Sequence, residues 1–151
     1  MPRFFNPRRV AQPASRYSQG VVHSARARRL IISGQVGVRL DGTVGKTLEE
    51  QMEIAWDNLI EVLNEGGMTV ADLVKIVTFV TVPGSVGLAR AIRTKKLGNH
   101  APASTYLEVA GLAAPQFLFE VEGEAICEDS VGIFNELADA ETRQSISIPR
   151  S

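Results

Sequence analysis

Residues 74–82 read VKIVTFVTV, a stretch dominated by β-branched side chains. In an extended chain successive side chains point to opposite sides. Val74, Ile76, Val80 and Val82 then share one side, and Val77 and Phe79 occupy the other. A strand that is apolar on both faces belongs in the middle of a sheet, with cover above and below. The flanking sequence shows where that cover comes from.

Downstream, Pro83-Gly84 breaks the strand, and Ser85 opens a helix that runs to Leu97 and closes at Gly98. Upstream lies the clearest helix of the chain, residues 48–65 (LEEQMEIAWDNLIEVLNE). Leu48, Met52, Ala55, Trp56, Leu59, Val62 and Leu63 recur at a 3.6-residue period and form one apolar face. Thr47 followed by Glu50 matches a capping box. Gly66-Gly67 ends the helix, because glycine accepts the left-handed conformation of a helix terminus. Before it come two strands, residues 17–23 and 29–38 (RLIISGQVGV), joined by a polar turn. In the second, Gly34 and Gly37 mark a bulge or a close backbone approach. Asp41-Gly42 makes the next turn. After the second helix, Pro102 in HAPASTYLEV (100–109) stops the chain and a strand follows over 104–110. The last strand spans 117–127.

The order is β-β-α-β-α-β-β, an α+β fold with two helices packed on one face of a mixed sheet. Residues 1–16 form a proline-rich extended lead-in, 17–127 a single domain, and 128–151 a polar C-terminal extension with a short helix expected near 131–141. Two helices cover one face only, so the other apolar face predicts a homo-oligomer.

The bulk properties agree. A chain of 151 residues with 44% hydrophobic content makes one core without staples, because this size buries roughly 68–70% of the unfolded surface. The lone cysteine, Cys127, excludes an internal disulfide and fits a reducing, cytoplasmic setting. No apolar run approaches the length of a membrane span, and no charged segment leads into an apolar leader. Net charge is −1, yet residues 1–40 hold eight arginines and no acid. Pro2, Pro7 and Pro13 forbid a continuous amphipathic presequence helix, so these arginines read as solvated or intersubunit cations.

Three patterns bear on chemistry. DGTVGKT (41–47) ends like a phosphate-binding loop, but the required first glycine is Leu40 and the following Glu49 and Glu50 would repel a phosphate. Helix capping explains the segment. His23, His100 and Cys127 are too scattered for a zinc pattern, so no metal is expected. In FEVEGEAIC (119–127), Glu120, Glu122 and Glu124 share one face of a strand while Phe119, Val121 and Ala125 share the other. By composition these carboxylates form a wet or salt-bridged face. The sharper reading is a general acid/base carboxylate.

RYSQG (16–20), IISGQVGV (31–38), ADLVKIVTFVT (71–81), HAPASTYLEVAGLA (100–113) and LFEVEGEA (118–125) occur in an order that resembles the Rid family. These are the YjgF-like reactive-intermediate/imine deaminases, also called endoribonuclease L-PSP-like. The resemblance covers residues 12–127. It implies a chorismate-mutase-like α+β fold and a homotrimer whose clefts between subunits bind a small molecule. It also implies hydrolysis of imine or enamine metabolites without a cofactor.

Carried over by position, the resemblance assigns Tyr17 as the cleft tyrosine, Ser33 with Gly34 as the SGQ segment, and Glu120 as the catalytic glutamate, with Glu122 as the alternative. The family's carboxylate-binding arginine falls at Ser104, followed by Thr105. A serine offers no charged bidentate fork. Arg16, beside Tyr17, is the N-terminal candidate to compensate. The expected function is therefore deamination of an imine or enamine other than a simple 2-imino acid. The alternative is a metabolite-binding or regulatory trimer without turnover. RNA binding or cleavage, also associated with the family, ranks last: there is no interleaved aromatic-basic stripe and no catalytic histidine pair, so nucleic acid is not an expected partner.

Overall fold

The computed structural model describes residues 1–128, so the short helix expected near 131–141 lies outside the described residues. In chain order the elements are β1 (Arg3–Phe5), β2 (Gly20–Val22), β3 (Arg28–Val36), α1 (Leu48–Glu65), β4 (Leu73–Val80), α2 (Val86–Leu97), β5 (Ala103–Glu108) and β6 (Phe119–Cys127). A 3-10 turn at Val70–Asp72 leads into β4. The main sheet has the order β3-β6-β4-β5. β6 runs antiparallel to both β3 and β4, and β4 runs parallel to β5. The sheet is mixed and β4 is bonded on both sides, as its residues require.

The lead-in is more ordered than its composition implies. Arg3–Phe5 pairs antiparallel with Gly20–Val22, which adds a strand at the front of the expected order. Pro2 and Pro7 bracket this short strand without removing a ladder N–H from within it. Phe4 packs edge-on against His100, with ring centroids 5.2 Å apart. The strand expected over 17–23 is thereby shortened to Gly20–Val22.

α1 begins and ends where its sequence dictates. Thr47 is extended at the cap, and its hydroxyl accepts from the Glu50 amide at 3.2 Å. Glu50 reaches back to accept from the Lys46 amide at 2.6 Å. At the other end it is Gly67, at φ +66°, that takes the left-handed conformation. Met52, Ala55, Trp56, Leu59 and Leu63 of α1 form one core with Ala89 and Ile92 of α2. That core rests on Ile76, Val80, Phe119, Val121 and Ala125 of the sheet. Each of the larger side chains contributes about 1.5–3 kcal/mol by leaving water.

Gln51 shares the buried face of α1. Its Nε2 donates to the carbonyls of Gly45 and Gln116, both at 2.9 Å, and its Oε1 accepts from the Leu118 amide at 2.8 Å. It thereby fixes the loop that leads into β6.

Both helices lie on one face of the sheet. The opposite face carries Lys75, Val77 and Phe79 of β4, half-buried, with Ile31 and Leu107 exposed at 67% and 43%. No helix among the described residues is long and apolar enough to cross a membrane.

Candidate functional site

The alternation of β5 separates the two hydroxyls that follow Pro102. Ser104 pairs in register with Ile76 and Tyr106 with Thr78, both on the helix-covered face, whereas Thr105 pairs with Val77 on the open face. Lys75 Nζ donates to Thr105 Oγ1 at 2.7 Å on that open face.

On the helix side, a cavity of about 180 Å³ lies between α2 and β5. Ser15, Tyr17, Thr78, Arg90, Arg93, Ser104 and Tyr106 line it, with Val86 and Ala89 as its apolar wall. The N-terminal chain is tied into this wall by Ser18. Its amide donates to the Pro102 carbonyl at 3.1 Å and its hydroxyl to the Ala101 carbonyl at 2.6 Å. These bonds place Tyr17 and Ser15 at the cavity. Arg93 Nη1 donates to Ser104 Oγ at 3.1 Å, and Nη2 donates to Ser15 Oγ at 3.3 Å. Burial lowers the Arg93 pKa, the neighbouring Arg90 cation lowers it further, and Tyr17 opposes both. The Tyr106 hydroxyl donates to Glu108 at 3.4 Å, and burial first, then the Glu108 carboxylate, raise the phenol's pKa.

Arg16 occupies a different place. Its guanidinium donates to the Gly98 carbonyl at 2.7 Å and to Asn99 Oδ1 at 3.2 Å, at the C-terminal end of α2 where a cation is favoured. The cation beside Ser104 is Arg93. Sequence reading missed it because its α2 position carries no family motif. The available signal was Arg90 and Arg93, three residues apart on one face of a helix.

On the open face, β3 and β6 shift register between Ile32 and Gln35, so Ser33-Gly34 forms a bulge. Glu120 lies directly over Gly34, where any side chain would collide with its carboxylate. Glu122 borders a neighbouring depression of about 360 Å³ with Ser33, Lys75 and Val77. Glu124 is engaged: Arg29 donates to it from Nε at 3.1 Å and from Nη2 at 2.7 Å. Glu120 and Glu122 have no hydrogen-bond or ion-pair partner among the described residues. No cluster of three His, Cys, Asp or Glu side chains suited to a metal occurs among the described residues. His100 bonds the Leu73 carbonyl at 2.7 Å, a structural role.

The predicted residues thus fall into two groups on opposite faces. Tyr17 and Ser104 join Arg93 in one cavity; Ser33, Gly34, Glu120 and Glu122 lie on the other face, as does Thr105, which β4 separates from β6.

Compared with known proteins, residues 8–127 match the model of the family described as endoribonuclease L-PSP. The chain belongs to this family, the YjgF/Rid family. Among its curated members, the RutC family protein YjgH of Escherichia coli K12 is 40% identical over 76 residues. That match spans 47% of this chain and 58% of the relative's length. A solved structure of the Rid-family protein YyfB from Yersinia pestis, itself of unknown function, superposes with a TM-score of 0.75 at 31% identity. It covers 84% of this chain and 98% of YyfB. RidA from the Antarctic bacterium Psychrobacter sp. shares the fold, with a TM-score of 0.63 at 20% identity over 82% of this chain and 98% of its own.

Proposed function

We propose that this Rid-family chain hydrolyses an imine or enamine metabolite to a carbonyl compound and ammonia, in cytoplasmic homotrimers whose clefts join two subunits. The observation that carries the reading is the state of Glu120. It projects over the Gly34 bulge without a partner among the described residues, while Glu124 on the same strand is held by Arg29. A carboxylate left free beside a bulge is available for proton transfer, whereas Oε2 of Glu124 already accepts from both Nε and Nη2 of Arg29.

The reaction needs little else. Glu120 takes a proton from water as the oxygen adds to the imine carbon, giving a carbinolamine. That proton passes to the nitrogen; Glu120 then carries the carbinolamine's hydroxyl proton to the same nitrogen as the C=O bond forms, the C–N bond breaks and ammonia leaves. The Glu120 face and the Tyr17–Ser104 cavity lie on opposite sides of the sheet, which supports completion of the cleft by a second copy. Glu120→Gln is expected to lower the rate of ammonia release from imines generated in situ at least 100-fold, within the usual range for loss of a general acid/base. Full retention in that variant, with loss in Glu122→Gln, would transfer the role to Glu122.

The same separation of faces favours one other reading, a trimer that binds a metabolite without turning it over. Saturable binding with no ammonia released from any imine, carboxylated or uncharged, selects it.

A further inference from the structure

We infer that residues 1–22 form a strap that docks and undocks as one unit, and that its docking completes the cavity between α2 and β5 by bringing in Ser15 and Tyr17. The strap is bonded chiefly to itself. β1 and β2 pair with each other and with no strand of the main sheet. The Gln19 amide donates to Asn6 Oδ1 at 2.8 Å, and its Nε2 donates to the Ala11 carbonyl at 2.6 Å. Gln12 Nε2 donates to the carbonyls of Pro7 and Val10, both at 3.1 Å. No side chain of residues 1–22 belongs to the hydrophobic core of the described residues, and Ser18 is the one buried residue in the segment.

The bonds from the strap to the rest of the chain converge on the loop between α2 and β5. Arg16 donates to the Gly98 carbonyl and to Asn99, Ser18 donates to the carbonyls of Ala101 and Pro102, and Phe4 packs on His100. That loop is itself fixed, because His100 Nε2 bonds the Leu73 carbonyl where β4 begins. A bridge from Ser18 to Ala103, the bond from Arg93 to Ser15 and an exposed ion pair of the Met1 amine with Glu128 add to the attachment.

Polar bonds near the surface exchange readily for bonds to water, whereas the helices and the main sheet share one core. A segment with few buried apolar contacts opens locally, at a lower free energy than the whole domain. A two-stranded hairpin has little stability alone in water, so undocking also breaks the β1–β2 ladder. Tyr17 stands between Arg16 and Ser18, both anchored on the loop, and leaves the cavity when they let go. Thr78, which lines the same cavity and is 5% exposed, then opens to solvent. A ligand that touches strap and body together binds the docked form alone and so holds it closed. The strap is thus a switch built into the site, and its docking does not depend on the reaction proposed for the cleft.

Hydrogen exchange of the full-length chain, followed by mass spectrometry, tests the unit. Amides of β1, β2, Ser18 and Gln19 are expected to share one opening constant, at least 100-fold larger than that of β4 and β6. Ser18→Ala and Phe4→Ala loosen two different anchor points. Each should raise exchange at least five-fold over the whole of residues 3–22 and leave β4 and β6 unchanged. Melting curves report whether each variant folds, and either one suffices. Thiol labelling tests the cavity. In Thr78→Cys, with Cys127→Ser to remove the native thiol, iodoacetamide should modify the new thiol at least five-fold faster once Ser18→Ala or Phe4→Ala is added. Strap amides that exchange only together with β4 and β6 overturn the inference. So does a response confined to the neighbours of the substituted residue, or labelling that ignores the loosened anchor. None of these readouts requires turnover. A strap that opens in a protein without imine hydrolysis removes the deaminase and keeps the switch. An active deaminase whose strap opens only with the whole domain does the reverse.

Discussion

The three glutamates of β6 look alike in the sequence and differ in the fold. Alternation places Glu120, Glu122 and Glu124 on one face, but only the pairing of β6 with β3 decides which one meets an arginine. Arg29 takes Glu124 and the bulge at Ser33-Gly34 leaves Glu120 free. Gly34 tests this arrangement directly. In Gly34→Ala the new methyl collides with the end of the Glu120 side chain, which can swing aside cheaply. Stability is expected to change by about 1 kcal/mol or less, while ammonia release falls at least ten-fold. Unchanged turnover in a folded Gly34→Ala protein would show that the position of Glu120 over the bulge is irrelevant. Arg93 marks the limit of residue-by-residue reading. Its role depends on the bonds it makes to Ser104 and Ser15, eleven and seventy-eight positions away in sequence.

At the level of elements, most of the architecture was written in local pattern. The 3.6-residue periodicity and the Thr47 cap fixed α1 at Leu48–Glu65, as expected, and the β-branched run fixed β4 as the central strand. Composition was misleading at the N-terminus, where β1 owes its existence to pairing with β2 and packing on His100, both long-range contacts. The two helices are held together at their surface by Glu53 of α1, which accepts from Lys95 and pairs with Lys96 of α2. Hydrogen bonds from Lys95 and then Lys96 lower the Glu53 pKa from its ordinary value of 4.5. A carboxyl whose folded pKa is depressed stabilises the fold above its unfolded pKa and loses that contribution as pH falls through the folded one. Melting temperature is therefore expected to drop more steeply below about pH 4.5 in wild type than in Glu53→Gln. Parallel acid limbs for the two proteins would show that this link contributes nothing.

For the whole molecule, the open sheet face is the surface on which the proposed assembly would be built. Ile31 and Leu107 are exposed there beside half-buried Val77 and Phe79, a patch that costs free energy in water. Phe79 pairs in register with Glu120. A second acid at that position would put like charges side by side in any interface built on this face. Light scattering is expected to give about three times the chain mass of 16.3 kDa for wild type and one chain mass for Phe79→Asp, with turnover lost alongside assembly. A wild-type monomer that retains activity would remove the shared cleft. The sequence by itself determined the helices, the central strand, the uncovered face and the family, because these follow from periodicity, capping and short motifs that neighbouring residues carry together. Only the tertiary structure decided which glutamate is free, that Ser104 and Thr105 point to opposite faces, and that α2 brings Arg93 to Ser104. Those outcomes depend on strand register and on helix placement over the sheet, which are set by contacts between segments far apart in the chain.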